Sequence, residues 1–132
     1  MSHNVDIGLR IFDLECLAKA CEAIGAVLKR NQKTFKAYTR GTCDHAIGIP
    51  NTPNAYEIGV VARKDKGYDL TCDFWQGGYG LEAVVGPNAE LLKQSYAAER
   101  TAQHYEQEFG NSQFRVTREK LEDGSIVLTA VR

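Results

Sequence analysis

The sequence predicts one α+β domain in which an antiparallel β-meander sheet carries two helices, in the order β-α-β-β-β-β-β-α-β-β. Apolar residues alternate with polar ones over at least four segments, as in strands with one buried face. Two other segments repeat apolar residues at helical spacing. The chain has 132 residues, 43% of them hydrophobic and 25% charged, as in ordinary globular domains. We therefore expect a single core over residues 1–132.

The first strand and the first helix are predicted to follow each other directly. Residues 5–11 are apolar at every second position, which predicts a strand. Asp13 can then cap a helix over residues 14–24, and Gly25 fits its end. The apolar positions of this helix follow helical spacing: Leu14, Leu17, Ala18, Cys21 and Ile24.

Five more strands are predicted before the second helix. Two short ones lie within residues 26–38, on either side of the polar turn at 31–33. Three longer ones cover residues 43–49, 56–62 and 68–74, and each shows period-2 alternation. The loop 50–54 and the turn 64–67 separate them, so we expect these three strands to pair as a meander.

The rest of the sequence predicts a glycine-rich loop, a long helix and a hairpin. Residues 75–80 are rich in glycine and must be irregular. Asn88 is the expected cap of the long helix, which should end at Gly110 and Asn111. Its apolar stripe consists of Leu91, Ser95, Ala98, Ala102, Tyr105 and Phe109. Phe114 and Val116 should lie in one strand and residues 126–130 in another, joined by a turn at 121–125 that contains Asp-Gly.

Charge and hydropathy exclude several classes of protein. The formal net charge is −1, which provides no global field to attract nucleic acid or an anionic membrane surface. No stretch approaches the roughly 18 apolar residues of a membrane span, and the N-terminal residues lack the features of a signal peptide. We therefore expect a cytoplasmic protein without a membrane partner.

The sequence contains no recognisable motif for catalysis, a metal or a cofactor. Cys16, Cys21, Cys43 and Cys72 lack zinc-type spacing, and we expect them to be reduced, buried thiols. Cys43 and His45 point the same way on a strand but are not oriented toward each other, so a thiolate and base pair is not expected. Residues 77–80 lack the features of a phosphate-binding loop.

The face of the meander opposite its apolar side is the first candidate site. Alternation places four acidic residues there, and Ala46, Gly48 and Gly59 leave a channel between them. Glycine inside a strand often marks close approach by a ligand or another backbone. A solvated face, or one crossed by a helix, is the alternative, and docking of a protein ranks above binding of a metal. The candidate partner-binding residues are Asp44, Gly48, Glu57, Gly59, Asp69, Asp73, Trp75 and Tyr79.

A basic segment, residues 29–40, is the second candidate site. It holds five basic residues and no acidic one, with two aromatic residues between them. Basic side chains that neutralise phosphates, with aromatic rings that stack on bases, are typical of proteins that bind single-stranded nucleic acid. A polar hairpin with both rings turned inward is the alternative. The candidate residues are Lys29, Arg30, Lys33, Phe35, Lys36, Tyr38 and Arg40.

Several short motifs resemble one known family over nearly the whole chain. They are Met1-Ser2-His3, Asp13-Leu14-Glu15-Cys16-Leu17, Tyr68-Asp69-Leu70 with Asp73 and Trp75, Leu92-Lys93-Gln94-Ser95-Tyr96, and Asp123-Gly124-Ser125-Ile126. The sequence resembles the hypothetical chloroplast reading frame thirty-five group, also called domain-of-unknown-function family twelve fifty-seven, of plastids, bacteria and phages. It departs from the plastid members at residues 76–87.

The resemblance implies a small cytoplasmic α+β protein without an assigned reaction. Genes of the group lie near ATPases of the AAA type, which implies an accessory role. We therefore expect a non-catalytic binding or accessory protein that acts through contacts with an unidentified protein partner. That partner would be an AAA-type ATPase or, for a phage-borne effector, a host machine. Binding of single-stranded nucleic acid is the alternative, and the sequence leaves the oligomeric state open.

Overall fold

A computed structural model of the protein describes residues 4–109, 115–120 and 126–131, with side chains described for residues 4–106. The strands are β1 (Val5–Ile11), β2 (Val27–Lys29), β3 (Thr34–Phe35), β4 (Gly41–Thr42), β5 (His45–Gly48), β6 (Ile58–Ala62), β7 (Tyr68–Cys72), β8 (Arg115–Lys120) and β9 (Ile126–Val131). The helices are α1 (Leu14–Ile24), α2 (Leu81–Val85) and α3 (Glu90–Phe109). The α+β class is confirmed, with β4 and α2 as elements that the sequence patterns did not predict.

The main sheet has five antiparallel strands in the order β1-β7-β6-β5-β2. Val60 in β6 lies opposite Leu70 in β7 and His45 in β5, so the predicted meander is confirmed. Its strands are shorter than predicted, because polar side chains next to the strand ends form hydrogen bonds with backbone groups that do not take part in strand pairing. Asp73 accepts a hydrogen bond from the backbone N–H of Trp75 at 2.8 Å, which turns the backbone away after β7.

One face of this sheet carries the main core, which α1 and α3 cover. Ile7, Val60 and Leu70 from the strands are buried there together with Leu17 of α1 and Leu92 of α3. Helix α1 has the predicted ends. Asp13 accepts a hydrogen bond from the backbone N–H of Cys16 at 3.0 Å, and Gly25 ends the helix in a left-handed conformation with φ 87°.

The opposite face of the sheet is covered by a small hairpin, in which β3 pairs with β4. Phe35 of β3 is only 2% exposed and forms a second cluster with Cys43 and Ala46. Ala37 and Val61 pack against this cluster. The sheet is therefore buried on both sides where the hairpin crosses it, and residues between β2 and β5 provide the cover.

The predicted start of the long helix is wrong. Asn88 adopts φ 53° inside the 3-10 turn Pro87–Ala89, and α3 begins at Glu90. A residue in that left-handed conformation has left the extended backbone that an N-cap requires. The predicted pairing of the last two strands is confirmed, since β8 pairs with β9 from Arg115 opposite Val131. The expected helix stop at 110–111, Phe114 and the turn at 121–125 lie outside the described residues.

Candidate functional site

The predicted channel on the sheet face is filled by the protein's own side chains. A Cβ atom added at Gly59 would lie 2.5 Å from Cδ1 of Phe35, and one at Gly48 would lie 2.9 Å from Nζ of Lys29. Both glycines therefore do mark a close approach, but the approaching groups are internal. The expectation of an open docking channel at Gly48 and Gly59 is wrong.

The four acidic residues of the predicted site are all used within the fold. Asp44 accepts a hydrogen bond from the backbone N–H of Ala62 at 2.7 Å. Asp69 accepts two from the Arg63 guanidinium, at 2.8 and 2.9 Å. Glu57 and Asp73 are buried. In the part of the protein that the structure describes, no group of three His, Cys, Asp or Glu residues is placed to hold a metal ion.

Glu57 joins the covering hairpin to the sheet. Its Oε2 accepts a hydrogen bond from Nζ of Lys29 at 2.9 Å, and its Oε1 accepts one from the backbone N–H of Lys36 at 2.9 Å and one from Nε2 of Gln32 at 3.0 Å. Burial favours a higher pKa for this carboxyl, but the three hydrogen bonds outweigh burial and hold the pKa of Glu57 below its usual value. Glu57 is therefore an ionised residue that stabilises the fold.

Asp73 positions two aromatic residues from separate segments. Asp73 is 2% exposed, and its carboxylate accepts hydrogen bonds from the backbone N–H groups of Trp75, at 2.8 Å, and Tyr38, at 3.3 Å. The rings of Tyr38 and Trp75 lie side by side with centroids 5.0 Å apart. Tyr38 is nevertheless 61% exposed and Trp75 37% exposed. The buried carboxylate thus holds the two rings at the surface.

A second aromatic pair extends this surface. Tyr79 is 49% exposed, and its ring meets that of the buried Tyr56 edge to face at 5.1 Å. Burial raises the pKa of the Tyr56 hydroxyl, and the nearby Tyr79, Asp73 and Tyr38 raise it further. The two aromatic pairs are joined by the turn Trp75–Gly80, which carries both Trp75 and Tyr79. We call Tyr38, Tyr56, Trp75 and Tyr79 the aromatic cluster.

The loop that carries Tyr79 has an uncommon backbone. Residues 76–79 all have positive φ, between 53° and 65°, and form a left-handed turn. Gly77 and Gly78 adopt this conformation readily, whereas Gln76 and Tyr79 do so at a cost of about 1–2 kcal/mol each. The backbone N–H of Tyr56 donates to the carbonyl of Gly78 at 2.8 Å and ties the turn to the core. Strain of this kind is concentrated at functional sites in proteins.

The basic segment is only partly available for binding. Lys29 is paired with Glu57, Arg30 with Glu15 at 2.6 Å, and the ammonium of Lys36 donates to the carbonyl of Pro53. Lys33 and Arg40 are exposed. Of the two aromatic residues, Tyr38 lies at the surface as a stacking residue would, but the buried Phe35 has no face available to a base. Phe35 is therefore a core residue.

The cysteines are inert in this fold. All four are free and buried, as expected. Burial raises the pKa of Cys21 and of Cys72 to about 12, so neither is a thiolate near neutral pH. Cys43 donates through Sγ to the carbonyl of Gln32 at 3.2 Å, whereas Nδ1 of His45 accepts a hydrogen bond from the backbone N–H of Asn31 at 2.9 Å. Cys43 and His45 thus serve different neighbours and form no nucleophile and base pair.

A polar cavity beside the aromatic cluster was not predicted. It has a volume of about 270 Å³ and is lined by Lys29, Lys36, Glu57, residues 49–53 and Ala55. Nothing in the sequence indicated that residues 29–36 would face the loop 50–54, because the two segments are distant in sequence and meet only in the folded protein, where Lys36 donates to the carbonyl of Pro53. Alternation of apolar and polar residues predicted that Tyr56 begins a strand. In the structure β6 begins at Ile58, and the ring of Tyr56 belongs to the aromatic cluster.

The family was tested by comparison with known proteins. The model of the family described as Protein of unknown function (DUF1257) matches residues 20–129. The chain belongs to the DUF1257 family. The resemblance found in the motifs is therefore confirmed, and the aromatic cluster and the cavity both lie within the matched range. No curated protein and no solved structure matches this DUF1257 protein. None of the helices in the described ranges combines the length and apolar character that crossing a bilayer requires.

Proposed function

We propose that this DUF1257 protein is a non-catalytic binding protein that docks a protein partner through its aromatic cluster. The observation that carries the proposal is the pair of hydrogen bonds by which buried Asp73 holds Tyr38 and Trp75. A carboxylate buried in this way is costly unless it is well bonded, and here the bonded groups are the backbones of two exposed aromatic residues. The arrangement therefore supports a surface held ready before binding.

Exposed, preorganised aromatic rings are typical anchors of protein interfaces. Trp and Tyr are enriched among the residues that contribute most to binding energy, because they bury a large area with few rotatable bonds. Tyr38, Trp75 and Tyr79 together offer three such rings from two segments. The left-handed turn fixes the direction of Tyr79 before a partner arrives, which lowers the entropy lost on binding.

A protein partner agrees better with the charges than nucleic acid does. Three of the five basic residues in the segment 29–40 already have partners within the fold. Binding to a phosphate backbone depends on available cations. We therefore propose an accessory role in which the aromatic cluster contacts an AAA-type ATPase or, if the protein is a phage effector, a host machine.

The test starts with affinity capture from the native cell and mass spectrometry, with and without nuclease. The captured protein is then titrated into the purified DUF1257 protein. Trp75 is the only tryptophan, so its fluorescence reports directly on the proposed surface. We expect Tyr38→Ala and Tyr79→Ala each to weaken binding by about 2 kcal/mol, roughly a thirtyfold loss in affinity.

Phe12 provides a matched control. It is an exposed aromatic residue, at 55%, and lies at the end of β1 outside the aromatic cluster. Phe12→Ala should leave the affinity unchanged. The proposal fails if the Tyr38 and Tyr79 variants bind as well as the native protein, or if Phe12→Ala weakens binding to the same extent.

Single-stranded nucleic acid remains the second candidate, because the rings of Tyr38 and Trp75 form a platform on which bases could stack beside exposed Lys33 and Arg40. It predicts salt-sensitive retention of single-stranded oligonucleotides that Lys33→Glu and Arg40→Glu abolish. Retention that is unaffected by both substitutions would exclude this function.

A further inference from the structure

The cavity beside the aromatic cluster has an unusual combination of charges. Lys29 and Lys36 contribute two cations and Glu57 one anion, so these three lining side chains carry a net charge of +1. Lys29 bonds to Glu57 and Lys36 bonds to the carbonyl of Pro53. Among the described residues, each ammonium has this single hydrogen-bond partner, whereas an ammonium can donate three hydrogen bonds. The cavity therefore has spare donors and an excess positive charge.

A short segment, residues 36–38, connects the cavity to the aromatic cluster. Lys36 lines the cavity, and the ring of Tyr38 lies beside that of Trp75. The Cα atoms of residues two apart in sequence are separated by at most about 7 Å. Phe35 and Ala37 pack together in the second core cluster, which leaves Lys36 and Tyr38 on the outward side. A molecule bound on the rings could therefore reach into the cavity.

We propose that the cavity binds a carboxylate, supplied by an Asp or Glu side chain of the segment that docks on the aromatic cluster. This inference rests on the proposed function and assigns the partner an acidic segment. One carboxylate would balance the excess charge of the cavity, and it would accept hydrogen bonds from Lys36 and Lys29.

The size and the charges of the cavity select a carboxylate over other anions. Ligand pockets for small molecules are usually about 300–1,000 Å³, and this cavity of about 270 Å³ suits the end of one side chain. A phosphate group carries up to about two negative charges, more than the net charge of +1 on the lining side chains can balance. A lysine or arginine of the partner would be repelled by the two ammonium groups.

Blocked amino acids test the cavity without the partner. The probe is N-acetylglutamate amide, and its neutral match is N-acetylglutamine amide. Both are titrated into the full-length protein while the backbone amide signals of Asn51, Thr52 and Ala55 are followed by NMR. We expect saturable shifts with the glutamate probe at millimolar concentrations and none with the glutamine probe. Equal shifts with both probes, or none with either, would overturn the proposal.

Lysine variants locate the binding. Lys36→Met should weaken binding of the glutamate probe roughly tenfold. Lys33→Met should not change it, because Lys33 does not line the cavity. If Lys36→Met does not fold, the comparison of the two probes on the native protein still decides. Equal affinity in a folded Lys36→Met variant would contradict the proposal.

Two further arms separate the alternatives. N-acetylglycine carries only a terminal carboxylate, and tighter binding of this compound would assign the cavity to the partner's terminal carboxylate instead of a side chain. The variant Trp75→Ala should still bind the glutamate probe. In this variant, partner capture that is as strong as with the native protein, together with retained probe binding, would refute the docking function alone. Capture that depends on Trp75 without any probe binding would refute the carboxylate site alone.

Discussion

Gly59→Ala tests whether the sheet face is covered by the protein's own hairpin. The new methyl carbon would lie 2.5 Å from Cδ1 and 2.6 Å from Cε1 of Phe35. These distances are far below van der Waals contact, so the ring must move. Gly41 also touches the ring of Phe35, which limits the directions in which it can move. The substitution should therefore destabilise the native state through overpacking.

The expected loss is about 1–3 kcal/mol of unfolding free energy, the usual range for an added methyl group in a packed core. The backbone of Gly59 does not have a positive φ, so conformational strain adds nothing to this value. Phe35→Leu should relieve the clash, because leucine is smaller than the ring. In that background we expect Gly59→Ala to lose most of its effect, which gives a coupling energy of at least about 1 kcal/mol.

Urea denaturation of the four proteins of this cycle, followed by circular dichroism, measures both quantities. With a typical dependence on urea, the native-background substitution should lower the midpoint by roughly 1 M. If Gly59→Ala leaves the midpoint unchanged while Phe35 is present, the ring does not lie over Gly59. Equal effects in the two backgrounds would contradict the contact in the same way.

Glu57 and Gln76 give two more predictions. Glu57→Gln should lower the unfolding free energy at neutral pH by about 1–3 kcal/mol, because one acceptor oxygen and the ion pair with Lys29 are lost. The folded protein holds the pKa of Glu57 below its usual value of 4.5, so this difference is complete above that value and disappears as pH falls through the folded pKa. Urea unfolding measures the unfolding free energies of both proteins at a series of pH values. The two values should converge in acid, and a difference that stays constant with pH would contradict this prediction. Gln76→Gly should raise the unfolding free energy by up to about 1 kcal/mol, because it removes a side chain from a left-handed position. An unchanged or lower value in the same urea assay would contradict the strain.

Patterns that arise locally were predictable from the sequence. β1 and α1 have the predicted bounds, since alternation, the Asp13 cap and the Gly25 stop all act within a few residues. The meander was predictable because β5, β6 and β7 follow each other closely. Its strand ends were not, because they depend on Asp44 and Asp73, two side chains outside the strands that accept hydrogen bonds from the backbone N–H groups of Ala62, at the end of β6, and of Trp75, beyond β7.

The covering of the sheet could not be predicted. Alternation shows that one face of a strand is less apolar, but it does not show what lies on that face. Gly48 and Gly59 indicated a close approach, and only the structure shows that Lys29 and Phe35 fill the space. Only part of the aromatic cluster could be predicted, because the sequence does not show which segments meet at the surface. Trp75 and Tyr79 were expected at a binding surface, whereas Tyr38 joins them through a buried carboxylate that follows another strand.

The order of the strands has a consequence for folding. β1 pairs with β7, so that Val5 lies opposite Cys72, and Gln103 of α3 donates to Asp13 at 2.7 Å. A nascent polypeptide cannot pair its first strand until β7 has left the ribosome, and it cannot cover its first helix until much of α3 has followed. Contacts between such distant residues make folding slower than in helical bundles, whose contacts are mostly local. Truncated polypeptides that stop before α3 would keep the apolar side of α1 uncovered and should aggregate.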